Sequence, residues 1–355
     1  MKMRKILSLA LVTALSLSLL AGCGGKNGTT GGGSSGSTGG TSQGTQPSGD
    51  PIVIKFAWGN SRTDTPTPGI QAMAEHIESA SNGTMKMEIY YDNTFCESTQ
   101  ILPEMVKGNL EMGGSGATYV AEYMPELGFL NMGYLYESID HANAVLNGEI
   151  GQEMFAHIGE TIGQRPLGAY YFGAREVCLT IDREVKSPAD LSDIKMRTNG
   201  TESMNFLASA MGANPTGISY SEMYTALDTG VVDGQENPIS TVVSQKLYEV
   251  SKSLTYTDHM IDFSWIAIGE KFWQSLTEEQ QNIIMEGVKI ACDMNTQATI
   301  DVESEAEDLL VSEGLSVYHP DITPIREAVL TAYEQKAQDD GWDTDLMQRI
   351  LDAAP

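Results

Sequence analysis

The chain has 355 residues and a formal charge of −27 at pH 7. A surface this acidic repels phosphate backbones and anionic membrane surfaces, which argues against nucleic acid as a partner. The apolar fraction is 41%, diluted by one Gly/Ser-rich stretch near the start; the remainder fills a full core, and the length suggests two folded units.

Met1–Lys5 is a short basic region, and Ile6–Leu20 is an apolar run of the length of a secretory signal core. The run is shorter than the roughly 20 apolar residues that span a membrane. It ends Leu20-Ala21-Gly22-Cys23, which resembles the lipobox of bacterial lipoproteins: small residues before a cysteine that is acylated and becomes the new N-terminus. On that reading residues 1–22 are a signal peptide, Cys23 is lipidated, and the chain is extracytoplasmic, anchored to the cell membrane by that lipid. Loss of Lys2, Arg4 and Lys5 leaves the mature chain more acidic still. Gly24–Asp50 is almost all Gly, Ser, Thr, Gln or Asn, so it reads as a disordered tether with an r.m.s. span of roughly 30 Å. No later segment is long and apolar enough to cross a membrane.

Pro51–Trp58, with Ile52, Val53, Ile54 and Phe56, reads as a buried strand. The loop Gly59–Pro68 carries Asn60 and Arg62. Ile70, Met73, Ala74 and Ile77 then recur at helical spacing, and Gly83 stops that helix. Met85–Ile89 alternates as a strand. Strand, helix, strand in this order predicts a parallel α/β sheet. Leu110–Met112 is a short strand, and Ser115 and Gly116 fall in the turn after it, where backbone N–H groups can be aimed at an anion. Leu167–Phe172 and Val177–Ile181 read as two strands, and Thr201–Met211 as a helix. Ser219 and Glu222 fit a capping box opening a helix through Leu227 that Gly230 closes. Thr277 and Gln280 fit another. Beyond them Ile284, Val288, Ala291, Met294, Ala298, Val302, Ala306 and Leu309 form one apolar stripe on a helix reaching Gly314. Such a helix, about 57 Å long, outreaches a small domain and braces two.

Motifs for catalysis are missing. Gly113-Gly114-Ser115-Gly116-Ala117 lacks the second glycine of a nucleophile elbow, and there is no H-E-x-x-H, no phosphate-binding loop and no dinucleotide fingerprint. Cys96, Cys178 and Cys292 show no metal-ligand spacing; three buried thiols is the simplest reading, with a bridge between one pair left open. No cofactor, metal or catalytic residue is expected.

The most specific stretch runs from Arg175 to Pro238. It contains Leu191-Ser192-Asp193-Ile194-Lys195-Met196-Arg197-Thr198, Met211-Gly212-Ala213-Asn214-Pro215-Thr216 and Ser221-Glu222-Met223-Tyr224-Thr225-Ala226-Leu227, and it closes on Gly230-Val231-Val232-Asp233-Gly234-Gln235-Glu236-Asn237-Pro238. This closely resembles the solute-binding proteins of tripartite ATP-independent periplasmic (TRAP) transporters, of the DctP type, over about Ile52 to Ala354. The resemblance implies a two-domain α/β fold like that of periplasmic binding proteins, with a ligand cleft between domains and a long shared helix. Domain I is expected over 51–173 plus 263–305, and domain II over 174–262 plus 306–355. Arg197 matches the family arginine that pairs with the ligand carboxylate; a guanidinium fork meets both carboxylate oxygens and stays charged. Arg175 matches a second cleft arginine. Asn237 matches an asparagine that hydrogen-bonds the ligand, and Glu236 supports it or an arginine. Tyr220 matches an aromatic position, while Trp58, Asn60 and Trp265 fall at loops lining the cleft in relatives.

Departures cluster on the opposite wall. The first loop reads Thr63-Asp64-Thr65-Pro66 in place of the usual His-Pro, and Phe95-Cys96-Glu97 stands where Gln-Leu-Gly is common. Gly116 replaces the glutamate of sialic-acid binders, which disfavours that ligand. The implied function is capture of a small organic anion with a carboxylate for the membrane permease subunits of a TRAP transporter. The alternatives are a binding protein that feeds a receptor, and a lipid-anchored enzyme acting on acidic sugars.

Overall fold

The computed structural model describes residues 50–354. The expected signal segment 1–22, the lipidation site Cys23 and the tether up to residue 49 lie outside the described residues.

Among the described residues nine strands form one sheet: β1 (Ile52–Ala57), β2 (Met85–Tyr90), β3 (Met112–Gly116), β4 (Gln164–Leu179), β5 (Lys195–Thr198), β6 (Asn214–Gly217), β7 (Gly234–Pro238), β8 (Ser253–Gly269) and β9 (Ser316–Tyr318). Their order is β2-β1-β3-β8-β4-β7-β5-β6, with β9 beside β8. One wing, β2-β1-β3, has β1 parallel to both neighbours. The other, β7-β5-β6, is likewise parallel. Between them β4 and β8 run antiparallel to each other and serve both wings. Parallel neighbours need crossover helices, and the helix Thr67–Ala80 supplies the first by burying Ile70, Met73 and Ile77 at the expected spacing.

Leu167–Phe172 and Val177–Ile181 are not two strands. Gln164–Leu179 is one strand whose register against β8 shifts at Pro166/Gly168, Tyr171/Gly173 and Arg175/Val177. These bulges break the two-residue alternation on which a strand reading depends. The pair Gly173↔Asp262 lies at one of them. Gly173 has φ +134°, and a Cβ there would lie 2.4 Å from Pro238 Cβ, so only glycine fits. Ser115 and Gly116 are also displaced from expectation. They are the last residues of β3, paired with Trp265 and Ser264, not a turn beyond a strand at Leu110–Met112.

The long helix is unbroken over Glu278–Ser312, 35 residues, and opens on the predicted capping box of Thr277 and Gln280. It spans about 52 Å. Ile284, Val288, Ala291 and Cys292 join the core of the first wing, and Ala306 and Leu310 join that of the second. The buried stripe differs from the predicted one in its middle, where Asn295 and Thr299 face inward and Met294 is exposed. A helix of 3.6 residues per turn drifts across a strict three-and-four pattern, and at this point it packs so closely on Gly69 that a Cβ there would lie 2.0 Å from Asn295 Oδ1. The Ser219–Glu222 capping box does not form. Ser219 Oγ donates to the Glu222 carboxylate at 2.8 Å, and a 3-10 turn at Tyr220–Glu222 precedes the helix Met223–Asp228. Cys178 and Cys292 are buried thiols, while Cys96 is half-buried, and all three are free. Among the described residues no helix is long and apolar enough to cross a membrane.

Candidate functional site

In an open α/β sheet the crevice for a ligand lies beyond the carboxyl ends of the strands. Here Trp58 and Asn60 follow β1, Ser115 and Gly116 end β3, Asn199 follows β5, Ser219 and Tyr220 follow β6, and Asn237 is near the end of β7. These residues line one cavity of about 760 Å³ between the wings, floored by Tyr170, Phe172 and Asp262–Ser264 of β4 and β8. That volume suits a small molecule.

Arg197, on β5, is 2% exposed and lines the cavity. Its Nε donates to the carbonyl of Ile218 at 2.9 Å, which fixes the plane of the guanidinium. The same atom is the only donor of its side chain with a hydrogen-bond partner among the described residues. Burial pulls Arg197 down to about 10; Glu236 opposes this and the like charge of Arg175 adds to it. At neutral pH it remains a cation, poorly solvated and short of counter-charge, the condition under which an anion is bound most strongly.

Arg175, on β4, lines the same cavity but is already saturated. Its Nε and Nη2 reach the carboxylate of Glu236 at 2.6 and 3.0 Å, Nη1 reaches Asp262 at 2.7 Å, and Nη2 also meets the Glu236 carbonyl at 2.7 Å and Asn237 Oδ1 at 3.2 Å. Burial works against its charge, and Glu236 and Asp262 more than make up for it, so its pKa rises above the usual arginine value. Glu236 is buried and does not line the cavity. Burial works to raise it, yet Arg175 and a contact with His259 Nε2 at 3.2 Å take it down to about 2. His259 Nδ1 meets Thr257 Oγ1 at 2.8 Å, and the Thr257 N–H donates to buried Glu176 at 2.6 Å. Arg175 is thereby tied through one hidden polar chain to the irregular segment of β8.

Asn237 is held from three sides. Its Oδ1 accepts from Arg175, and its Nδ2 donates to Gln235 Oε1 at 2.5 Å and meets Met223 Sδ at 3.4 Å. Tyr220 donates from Oη to Asp64 at 3.1 Å, and burial with the neighbouring Asp64 charge pushes its hydroxyl well above its ordinary value. Trp58 turns Nε1 to Thr67 Oγ1 at 3.1 Å and packs its ring against Gly114. Ser115 lines the cavity with its Oγ committed to Gln164 Oε1 at 2.7 Å. Ser115 and Gly116 both line the cavity at the end of β3, directly before the five-residue helix Ala117–Ala121.

Trp265 is the predicted residue that the fold removes from the site. It lies in the middle of β8, 1% exposed, with its ring 5.1 Å from that of Phe155, and it does not line the cavity. Its neighbours Phe263 and Ser264 line it instead. Sequence reasoning also passed over Tyr119 and Asn199. Both line the cavity; burial pushes the Tyr119 hydroxyl up, with the Arg197 charge pulling it down. Asn199 directly follows a parallel strand, a position that flags a crevice residue without further information. Among the described residues no group of three or more His, Cys, Asp or Glu is placed to hold a metal ion.

A profile of the family described as DctP, bacterial extracellular solute-binding protein, family 7, matches residues 56–340. The sialic acid-binding periplasmic protein SiaP of Vibrio cholerae is 31% identical over 264 residues, 74% of this chain and 81% of that protein. A solved TRAP periplasmic solute-binding protein from Roseobacter denitrificans, with bound 3-deoxy-D-manno-oct-2-ulosonic acid, aligns at 30% identity and a TM-score of 0.81, covering 86% of this chain and 100% of that one. Another from the same organism, with bound L-galactonate, aligns at 26% identity and a TM-score of 0.74, covering 79% and 93%.

Proposed function

Because the chain belongs to the bacterial extracellular solute-binding proteins of family 7, we propose that it captures a small organic acid outside the cytoplasm and passes it to the permease subunits of a TRAP transporter. One observation carries this reading: Arg197 is a buried cation lining a cavity between two wings, with Nε its only hydrogen-bonded side-chain donor among the described residues, while the neighbouring Arg175 is neutralised by two carboxylates. A carboxylate entering there supplies the missing counter-charge and meets both arms of the fork. Tyr119, Asn199, Tyr220 and Asn237 surround that point with hydroxyl and amide groups, which suits an acid that also carries hydroxyls. The match to a solute-binding family supports a site that binds its ligand and releases it unchanged.

Capture by closure of the wings brings both walls onto the ligand and excludes water. The lipid on Cys23 would keep the protein at the membrane where the permease sits, and a Cys23→Ala chain recovered in the soluble fraction would support that anchor. The ligand is tested by native mass spectrometry of the purified protein and by thermal shift against organic acids, including 3-deoxy-D-manno-oct-2-ulosonic acid, L-galactonate and sialic acid. A ligand at 100 times its dissociation constant adds about 2.7 kcal/mol of stability. Tight binding of neutral sugars with no response to any acid would overturn the reading.

A further inference from the structure

We propose that Asp64 is a positioning residue that clasps the two walls of the cavity together and fixes Tyr220 beside Arg197; this rests on the cavity being the ligand site. Asp64 stands in the Thr63-Asp64-Thr65-Pro66 segment, in the loop between β1 and the helix Thr67–Ala80, and is 1% exposed. A carboxylate so deeply buried requires compensation. Its partners are hydrogen-bond donors, not a lysine or arginine. Two are local: the N–H and Oγ of Ser61, each at 2.9 Å. Two come from the other wing: Tyr220 Oη at 3.1 Å and Gln245 Nε2 at 2.5 Å, 156 and 181 residues away in the chain.

The local pair is enough to shape the loop; the distant pair is not needed for that. Each oxygen of the carboxylate takes one bond from its own loop and one from across the cleft. The base of the clasp is rigid, because Thr67 Oγ1 donates to the Ser61 carbonyl at 2.6 Å and accepts from Trp58 Nε1. Both Trp58 and Tyr220 line the cavity. Separating the wings at this mouth therefore breaks two hydrogen bonds to one buried carboxyl group, which would be left short of partners. Ligand release is coupled to that rupture. Gln245 does not line the cavity, so it influences a bound ligand only through the clasp.

The test is hydrogen–deuterium exchange on the ligand-free full chain, comparing wild type with Asp64→Asn and Gln245→Ala. In Asp64→Asn the amides of residues 218–224 should exchange about tenfold faster, and in Gln245→Ala those of residues 61–67 should do the same, as loss of a bond to a buried group predicts. Each change is read on the wall opposite the substitution, where a merely local role has no effect. Unchanged exchange on the opposite wall in Gln245→Ala overturns the proposal, even if Asp64→Asn folds poorly. In a second arm, Gln245→Ala should raise the dissociation rate of 3-deoxy-D-manno-oct-2-ulosonic acid or L-galactonate while leaving association unchanged; an unchanged dissociation rate also overturns it. If wild type binds neither anion, the carboxylate reading is what suffers, and the exchange measurement still decides the clasp.

Discussion

Arg197 and Arg175 line one cavity, yet only Arg175 has carboxylates on its guanidinium: Glu236 at 2.6 Å and Asp262 at 2.7 Å. The difference separates two tasks that sequence alone gives to both. Arg175 holds β4, β7 and β8 together at the point where the wings join. Arg197 keeps a charge in reserve, and the fold bears the cost of burying it.

That cost yields the first prediction. Replacing Arg197 with Met removes a buried charge lacking a full partner and fills similar space. The ligand-free protein should gain about 1 kcal/mol or more in stability, while affinity for any carboxylate that binds wild type should fall by several kcal/mol. Differential scanning calorimetry and isothermal titration calorimetry read the two effects separately. A variant that loses stability and keeps affinity would contradict the role given to Arg197.

Glu236 makes a prediction about pH. Its folded pKa, about 2, lies below the ordinary value of 4.5. The unfolded chain therefore binds more protons between those values, so stability rises with pH in that window. The contribution, roughly 3 kcal/mol in order of magnitude, is fully present above pH 4.5 and is lost as pH falls toward 2. Thermal unfolding of wild type and Glu236→Gln across pH 2 to 6 should show the gap between them narrowing as the solution is acidified. A gap that stays constant across that range would mean the ion pair with Arg175 contributes nothing through its charge.

What the sequence shows and hides follows from which signals are local. The helix Thr67–Ala80 and the long helix announce themselves because periodic apolar residues and a capping box are properties of neighbouring residues. β4 is hidden by its three register shifts, since each bulge reverses which residues face which side. The middle of the long helix is hidden because Asn295 and Thr299 are polar residues turned inward, the Asn295 amide without a hydrogen-bond partner among the described residues. Arg197 is legible through its surrounding motif and not through its charge, as any arginine on a strand reads first as a surface ion-pair partner. Asp64 is legible only as a departure from a familiar pattern; its meaning comes from Tyr220 and Gln245, which no sequence spacing brings to it.

Gly173 carries a third prediction. With φ at +134° and Pro238 Cβ 2.4 Å from where its own Cβ would stand, Gly173→Ala must both strain the backbone and displace β7. The expected loss is about 2–4 kcal/mol, measured as a lower denaturation midpoint. Because β7 carries Glu236 and Asn237, the same substitution should weaken ligand binding. A stable variant with an unaltered midpoint would show that β4 adapts at this bulge without cost.

Trp265 separates the site from the core behind it. Its ring packs on Phe155 at 5.1 Å, and it does not line the cavity. Truncation to Ala empties space in a dense core and should cost about 3–5 kcal/mol. Trp265→Phe keeps most of the packing and deletes an Nε1–H that has no hydrogen-bond partner among the described residues, so its stability cost should be small. Affinity in Trp265→Phe should stay within about twofold of wild type, since additive behaviour is the rule for residues that share no partner with the ligand. The corresponding change at Trp58, which does line the cavity and donates to Thr67, should weaken binding with the fold intact. If the two variants exchange these outcomes, the tryptophan at the ligand is the one on β8, and the burial assigned to Trp265 does not hold when ligand binds.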